Sequence, residues 1–291
     1  MSTLRGDPAG RSADERIAFG VVNIDKPPGP TSHQVVSWVK ALLGADRAAH
    51  AGTLDPKVSG CLPVLLGDAT RVAQALLPGH KRYITILELH GEPSTSLDAV
   101  VNTFEGELYQ KPPRKSAVKR RLRTREIYSL ALLEQHERQA LLDIRCESGT
   151  YIRKLCHHLG LAAGVGAHMG ELRRIEAQPF DDTDLVTLHE LSDAVALAED
   201  GDSNRLTSIV RPAEDALAML PRVLIAPSAA ESVAQGSPIF APGVLHWDDD
   251  IAIDQQVVGY TPNGGAVCLG RLVGDPGADT GEVISLDRVL V

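Results

Sequence analysis

His50-Ala51-Gly52-Thr53-Leu54-Asp55-Pro56, followed by Lys57-Val58-Ser59-Gly60-Cys61-Leu62-Pro63-Val64, is the stretch on which the reading of this chain turns. It sets a single carboxylate in a tight loop. Gly52 lets the backbone turn where a Cβ would clash, Pro56 fixes φ just after the acid, and the apolar run Cys61 to Leu66 predicts a buried strand that anchors the loop. Asp55 is therefore expected to be held rigidly. An Asp-Pro pair alone is only a turn or helix-start signal, so a chemical role for Asp55 has to come from its neighbourhood.

Before this stretch, Val21 to Ile24 predicts a short strand that Lys26-Pro27-Pro28-Gly29-Pro30 stops. Thr31 or Ser32 can cap a helix with Val35, Val36, Val39, Leu42 and Leu43 on one face, ended by Gly44. After it, Asp68 to Leu77 has helical spacing, and Lys81 to Leu89 reads as a strand with Tyr83 on the face of Thr85 and Leu87. Lys111 to Arg125 holds eight basic residues and no acidic one. A charge run is often just a solvated face, but arginine dominates this one and arginine favours bidentate phosphate contacts.

Gln139 to Glu147 predicts a strand, and Thr150 a cap for a helix through Leu161 that carries Arg153 beside the core-facing Ile152 and Leu155. An arginine there can be a surface charge whose stem packs on the core. Glu171 to Ala177 reads as a further strand, and Thr187-Leu-His-Glu190 as a capping box opening a helix to about Glu199. From Arg222 onward the apolar runs are short: Val223 to Ala226, Val257 to Tyr260, Ala266 to Leu272 and Val283 to Val291, separated by Gly and Pro turns. That pattern predicts a small β-barrel or sandwich.

At 291 residues the chain can form one large domain and one small one. It has no apolar run of about 18 residues and its first 16 are polar, so neither a membrane span nor a secretory signal is expected, and the protein is expected in the cytoplasm. Cys61, Cys146, Cys156 and Cys268 stand far apart without a CxxC pair, which favours reduced core thiols. Cys156, His157, His158 and His168 meet no ligand-spacing motif, and Gly164-x-Gly166-x-x-x-Gly170 lacks the spacing and the preceding strand of a dinucleotide loop. The net charge of −9 is unevenly spread. Residues 1–180 hold 24 Lys and Arg against 19 Asp and Glu, while residues 181–291 hold 5 against 19. The first half is thus the half suited to phosphates, and the acidic surplus reads as solvated surface tolerable in concentrated salt, where the Debye length falls to about 3 Å at 1 M.

The neighbourhood of Asp55 resembles a known family. His-x-Gly-Thr-Leu-Asp-Pro with Gly-Cys-Leu-Pro-Val, preceded by Lys26-Pro-Pro-Gly-Pro-Thr-Ser-His33 and followed by Lys81-Arg82-Tyr83, is similar to the motifs of the pseudouridine synthases that modify the T-arm of tRNA, and of their dyskerin-like archaeal relatives. Three further matches follow in order: Lys115 to Arg125, Cys146-Glu-Ser-Gly-Thr-Tyr-Ile-Arg-Lys-Leu-Cys156 and Gly164 to Arg174. The likeness covers about residues 17 to 190, and the tail from about 220 resembles the PUA domain, a small RNA-binding barrel.

The resemblance implies an α/β fold: a mixed, mainly antiparallel sheet flanked by helices, with a C-terminal small β-barrel. It implies a flexible arm over 1–16, a catalytic domain over 17–205, a linker over 206–220 and a PUA domain over 221–291. It implies an enzyme that isomerises uridine to pseudouridine in tRNA, or in ribosomal RNA as the catalytic subunit of a box H/ACA guide particle with small accessory proteins. No metal and no cofactor are implied. Asp55 would be catalytic, Arg153 its partner, Tyr83 and Leu172 the walls around the uracil, His50 the filler of the vacated stack, and Tyr151 a further substrate contact. Arg114, Lys115, Lys119, Arg120, Arg121, Arg123 and Arg125 would bind the RNA backbone. Whether Asp55 attacks the sugar, attacks the ring or abstracts a sugar proton stays open. The rival from another class is a non-catalytic scaffold that only holds guide RNA. An aspartyl-phosphate hydrolase is excluded, because Thr53-Leu54-Asp55-Pro56 lacks the acid set for a magnesium ion.

Overall fold

Residues 4–112 and 119–291 are described by the computed structural model. The larger unit runs α1 (Ala13–Ala18), β1 (Phe19–Lys26), α2 (Ser32–Leu42), β2 (Ala48–His50), β3 (Ser59–Gly67), α3 (Ala73–Leu76), β4 (Lys81–Leu89), α4 (Leu97–Asn102), β5 (Gly106–Gln110), β6 (Arg123–His136), β7 (Gln139–Cys146), α5 (Ile152–Ala162), β8 (Ala167–Ala177), β9 (Phe180–Asp181), α6 (Leu188–Glu199), α7 (Asn204–Ile209), β10 (Arg211–Pro212) and α8 (Ala213–Ala216). The smaller unit adds β11 (Arg222–Ile225), α9 (Pro227–Ala234), β12 (Ile239–Phe240), β13 (Val244–Trp247), β14 (Gln256–Tyr260), β15 (Ala266–Leu272) and β16 (Glu282–Val289).

The large sheet has the order β10-β1-β3-β8-β4-β7-β6-β5, with β2 paired to β3 and β9 to β8. Its strand pairs are antiparallel except for β3 with β8, where Ser59 and Gly60 pair with Arg173 and Arg174. That parallel junction covers only these two pairs. Gly60 makes it possible: its φ is +96°, and a Cβ there would stand 2.1 Å from the Arg174 carbonyl oxygen. Two cores cover the sheet near this junction. One packs α2 and α6 over Val22, Ile24, Leu62 and Val64, the other packs α5 over Leu87, Leu142 and Ile144. The mixed, mainly antiparallel sheet and the C-terminal barrel are as expected.

Helix starts follow the local chemistry. Thr31 caps α2 with Gln34 as reciprocal partner, and Thr187 caps α6 with Glu190. Thr150 does not cap α5. Its hydroxyl donates to the Glu147 carbonyl at 2.7 Å, and the N-cap is Tyr151, which has no side-chain cap bond. The helix expected over Asp68 to Leu77 is a 3-10 segment, Asp68–Val72, running into the short α3.

The stretches expected as a flexible arm and as a linker both carry secondary structure. The arm folds from residue 4 onward into a 3-10 turn, Pro8–Gly10, and α1, whose Ser12 and Glu15 form a capping box. Three arginines fasten it. Arg5 donates to Asp68 and to the Leu290 carbonyl, Arg16 to the Thr207 carbonyl at 2.7 Å, and Arg11 pairs with Glu214 at 2.8 Å with side chains only 3% and 9% exposed. Removing one partner of such a buried pair costs about 3–5 kcal/mol, so the segment is bound to the fold and not loose.

Likewise residues 206–220 are no tether. They form the end of α7, β10 and α8, with Leu206, Ile209, Val210, Ala213, Ala216 and Leu217 buried, and β10 pairs with β1. One core joins Phe19, Val21 and Leu65 of the large sheet to Leu217, Val258, Tyr260, Leu269 and Leu290. The acidic surplus of the second half is solvated: Asp193, Glu199, Asp200, Asp202, Glu231, Asp248, Asp249, Asp250, Asp254, Asp275, Asp279 and Glu282 are exposed.

Candidate active site

The loop that carries Asp55 is pinned from below and from one side. Lys26, at the end of β1, is fully buried and donates its ammonium to the carbonyls of Pro27 at 2.9 Å, Pro56 at 3.0 Å and Val58 at 2.8 Å. Burial pushes this ammonium below its ordinary range, and the nearby Asp55 opposes the shift. Ser32, in the first turn of α2, accepts from the Leu54 N–H at 2.8 Å and donates to the Leu54 carbonyl at 2.9 Å. Leu54 and Val58 anchor in the core on either side of the acid. Gly52, with φ of +117°, turns the chain above the Arg174 guanidinium.

Arg153 leaves the first turn of α5 and donates to the Asp55 carboxylate from 98 residues away. Both side chains are about half open to solvent, at 52% and 58% exposure. An exposed ion pair is worth only about 0–1 kcal/mol of stability, so the value of this one lies in orientation. The buried face of α5, Ile152, Leu155, Cys156 and Leu159, fixes where Arg153 points.

The floor is made by β4 and β8. Tyr83 pairs with Arg174 across the strands, and Thr85 with Leu172, which puts Tyr83 and Leu172 side by side at the seam of the two cores. Arg174 is buried and donates to the Cys61 carbonyl at 2.8 Å and the Gly52 carbonyl at 3.1 Å. Its positive charge also lies near the Tyr83 phenol. Burial raises that phenol's pKa, with Arg174 opposing, so the ring is neutral at pH 7. Lys81 sits in the same buried charge field: desolvation first and Arg174 second push it down to about 8.

His50 ends β2, opposite Val64 of β3, with its ring edge-on to His33 at 5.0 Å between centroids and its Nδ1 buried without a partner among the described residues. Burial, then His33, holds its pKa below the ordinary histidine range, so the ring is neutral at pH 7. Tyr151 is half-buried at the start of α5, its backbone held by Gln110.

Asp55 and Arg153 are thus in contact. Tyr83 pairs across the strands with Arg174, which holds the Gly52 carbonyl before the same loop, and Leu172 lies beside Tyr83. Of the basic residues, Arg114 and Lys115 lie outside the described residues. Lys119, Arg120 and Arg121 are exposed, Arg120 donating to the Pro112 carbonyl. Arg123 and Arg125 belong to β6, and Arg125 pairs with Glu147 at 3.2 Å. In the barrel, Arg222 lies over the Tyr260 ring and Arg271 donates to the Asp254 carbonyl at 2.9 Å. Among the described residues, no group of three His, Cys, Asp or Glu side chains is placed to hold a metal ion.

Lys26, Ser32, Gln110 and Arg174 have no role in the site from sequence alone, Ser32 being only a candidate helix cap. Lys26 and Arg174 stood inside the quoted motifs, and a lysine or arginine directly beside strand-forming residues was the available signal. Gln110 gave none.

Comparison with known proteins finds matches along most of the chain. Residues 40–152 match the N-terminal domain of the TruB family of pseudouridylate synthases, 153–218 the C-terminal domain of tRNA pseudouridylate synthase B, 6–36 the DKCLD domain and 221–275 the PUA domain. The chain is 58% identical over 295 residues to a probable tRNA pseudouridine synthase B of Haloarcula marismortui, covering 99% of this chain and 94% of that protein. It is 57% identical over 302 residues to one of Halobacterium salinarum, covering 99% of both. Among solved structures, a Cbf5-Nop10-Gar1 complex contains a chain 43% identical that superposes with a TM-score of 0.94, over 100% of this chain and 91% of that one. An H/ACA ribonucleoprotein bound to a substrate RNA containing 2'-deoxyuridine gives 41% and 0.92, over 100% and 91%.

Proposed function

The chain belongs to the TruB family of pseudouridylate synthases, and from that premise we propose how its own residues carry the reaction. The isomerisation breaks the N1–C1′ bond of a uridine, turns the uracil and joins C5 to C1′; C5 gives up its proton and N1 gains one. Atoms and electrons balance without a redox partner. The protein must extract the nucleotide from its stack, place a carboxylate against it and keep the freed base in register.

Asp55 supplies the carboxylate. Arg153 fixes which oxygen faces the nucleoside through a charge-assisted bond, and the pinned loop keeps both from drifting. Tyr83 gives the uracil a flat neutral face, Leu172 an apolar wall, and Tyr151 a contact at the rim. The neutral His50 fills the gap left in the RNA stack. Lys119, Arg120, Arg121, Arg123 and Arg125, with Arg114 and Lys115, meet the RNA backbone. The observation that carries this reading is the Asp55–Arg153 pair standing open on a loop held by buried Lys26 and Ser32. A scaffold that only holds RNA has no use for it.

The substrate is the T-loop uridine of tRNA, and guided uridines in ribosomal RNA once a box H/ACA guide RNA and small accessory proteins of the Nop10 and Gar1 kind assemble on the chain. We propose the cytoplasm as the place where it meets these RNAs. The test is pseudouridine mapping on purified protein. Alone, it is expected to modify one T-loop uridine of a tRNA transcript; a guided target is expected to need the guide RNA and accessory proteins. Absence of pseudouridine in every arm contradicts the proposal.

A further inference from the structure

Two strands flank the basic segment, and both hold the turn that launches α5. Gln110, the last residue of β5, is 1% exposed. Its carboxamide grips a single residue at two points: Oε1 accepts from the Tyr151 N–H at 2.8 Å, and Nε2 donates to the Tyr151 carbonyl at 3.2 Å. From β6, Arg125 donates to one carboxylate oxygen of Glu147, and the Glu126 N–H donates to the other at 3.2 Å. Gly149 is packed against Arg125, where a Cβ would stand 3.3 Å from the guanidinium.

A buried carboxamide is costly unless donor and acceptor are both used. Here both are used on Tyr151, the N-cap that lacks any side-chain cap bond of its own. Gln110 thereby does from another strand what the Glu or Gln of a capping box does locally, accepting from the N–H of the N-cap residue. The Tyr151 carbonyl also accepts from the N–H groups of Lys154 at 2.9 Å and Leu155 at 3.0 Å, so the clamp sets the first turn of the helix. Arg153 projects from that turn to Asp55.

We propose that Gln110 is a positioning residue for Arg153, acting through the Tyr151 backbone and tying the active-site cation to the strand pair that carries the basic segment. The inference rests on the reading of Arg153 as the working partner of Asp55. A reacting group displaced by about 1 Å can cost on the order of a hundredfold in rate, so loss of a clamp two residues away is expected to act on turnover and not on RNA affinity.

Steady-state kinetics on a T-loop RNA test it with Gln110→Met, Gln110→Glu, Arg153→Lys and the Gln110→Met/Arg153→Lys double variant. Gln110→Met is expected to lower kcat about tenfold with KM within about twofold, and to cost less than about twofold more when Arg153 is already lysine. Gln110→Glu keeps the bond from the Tyr151 N–H, is expected to lose about threefold, and carries the same comparison if the methionine variant does not fold. An unchanged kcat, a rise confined to KM, or an equal loss in both backgrounds overturns the assignment of Gln110. Full activity of Arg153→Lys alone overturns instead the role given to Arg153.

Discussion

Asp55→Asn is expected to bind T-loop RNA within about twofold of the wild type and to form no product, a loss of at least about 10⁴-fold in kcat. The change keeps shape and hydrogen-bonding capacity but removes the charge. The loop does not depend on that charge, because its fastenings run through the backbone of Leu54, Pro56 and Val58 to Ser32 and Lys26. Folding and RNA contact should therefore survive while the chemistry stops. Gel-shift titration beside single-turnover product analysis reads the two separately, and measurable turnover would remove Asp55 from the reaction.

The second large effect is expected from Lys26→Met. Methionine fills much of the volume but removes the buried donor shared by three carbonyls: Pro27 and Pro56 lie at the surface and Pro56 keeps the Gly29 N–H at 2.8 Å, whereas the buried Val58 carbonyl loses its partner. An unsatisfied buried carbonyl costs about 1–3 kcal/mol, and a loss of about that size in urea denaturation is expected. Activity should fall by about a hundredfold or more in the fraction that stays folded, because the same carbonyls set the height of Asp55 over the floor. A variant of wild-type stability and turnover would show that the loop is held by something else.

Much of this arrangement is legible in sequence for definite reasons. The strands β1, β3, β4 and β7 are continuous or alternating apolar runs, and α2 and α6 carry capping residues and an apolar face. The strand β6 was hidden because shifts in register between Ile127 and Ser129 and between Leu132 and Glu134 break the two-residue alternation. The folded N-terminal segment and the stretch from 206 to 220 looked loose because their fastenings are distant. Arg11 meets Glu214 across 203 positions, and Arg5 meets the Leu290 carbonyl across 285.

The candidate site shows the same division. Gly52 and Pro56 mark Asp55 as held in a tight turn, and its role, like those of Arg153, Tyr83, His50 and Leu172, is legible through resemblance. What holds them did not. Lys26 looks like a surface charge before a turn until its burial is seen, and Gln110 is a polar residue between a strand and a basic run. Such supporting contacts are properties of the packed chain, and no local pattern encodes them.

The central claim is that one cleft gathers these side chains around a single uridine. The most direct measurement is a crystal structure of Asp55→Asn bound to a T-loop RNA. The uracil is expected on the Tyr83 ring beside Leu172, with its C1′ within about 3.5 Å of the residue 55 side chain. A uridine left stacked in the RNA, or extruded to a place away from residue 55 and Tyr83, would contradict the account.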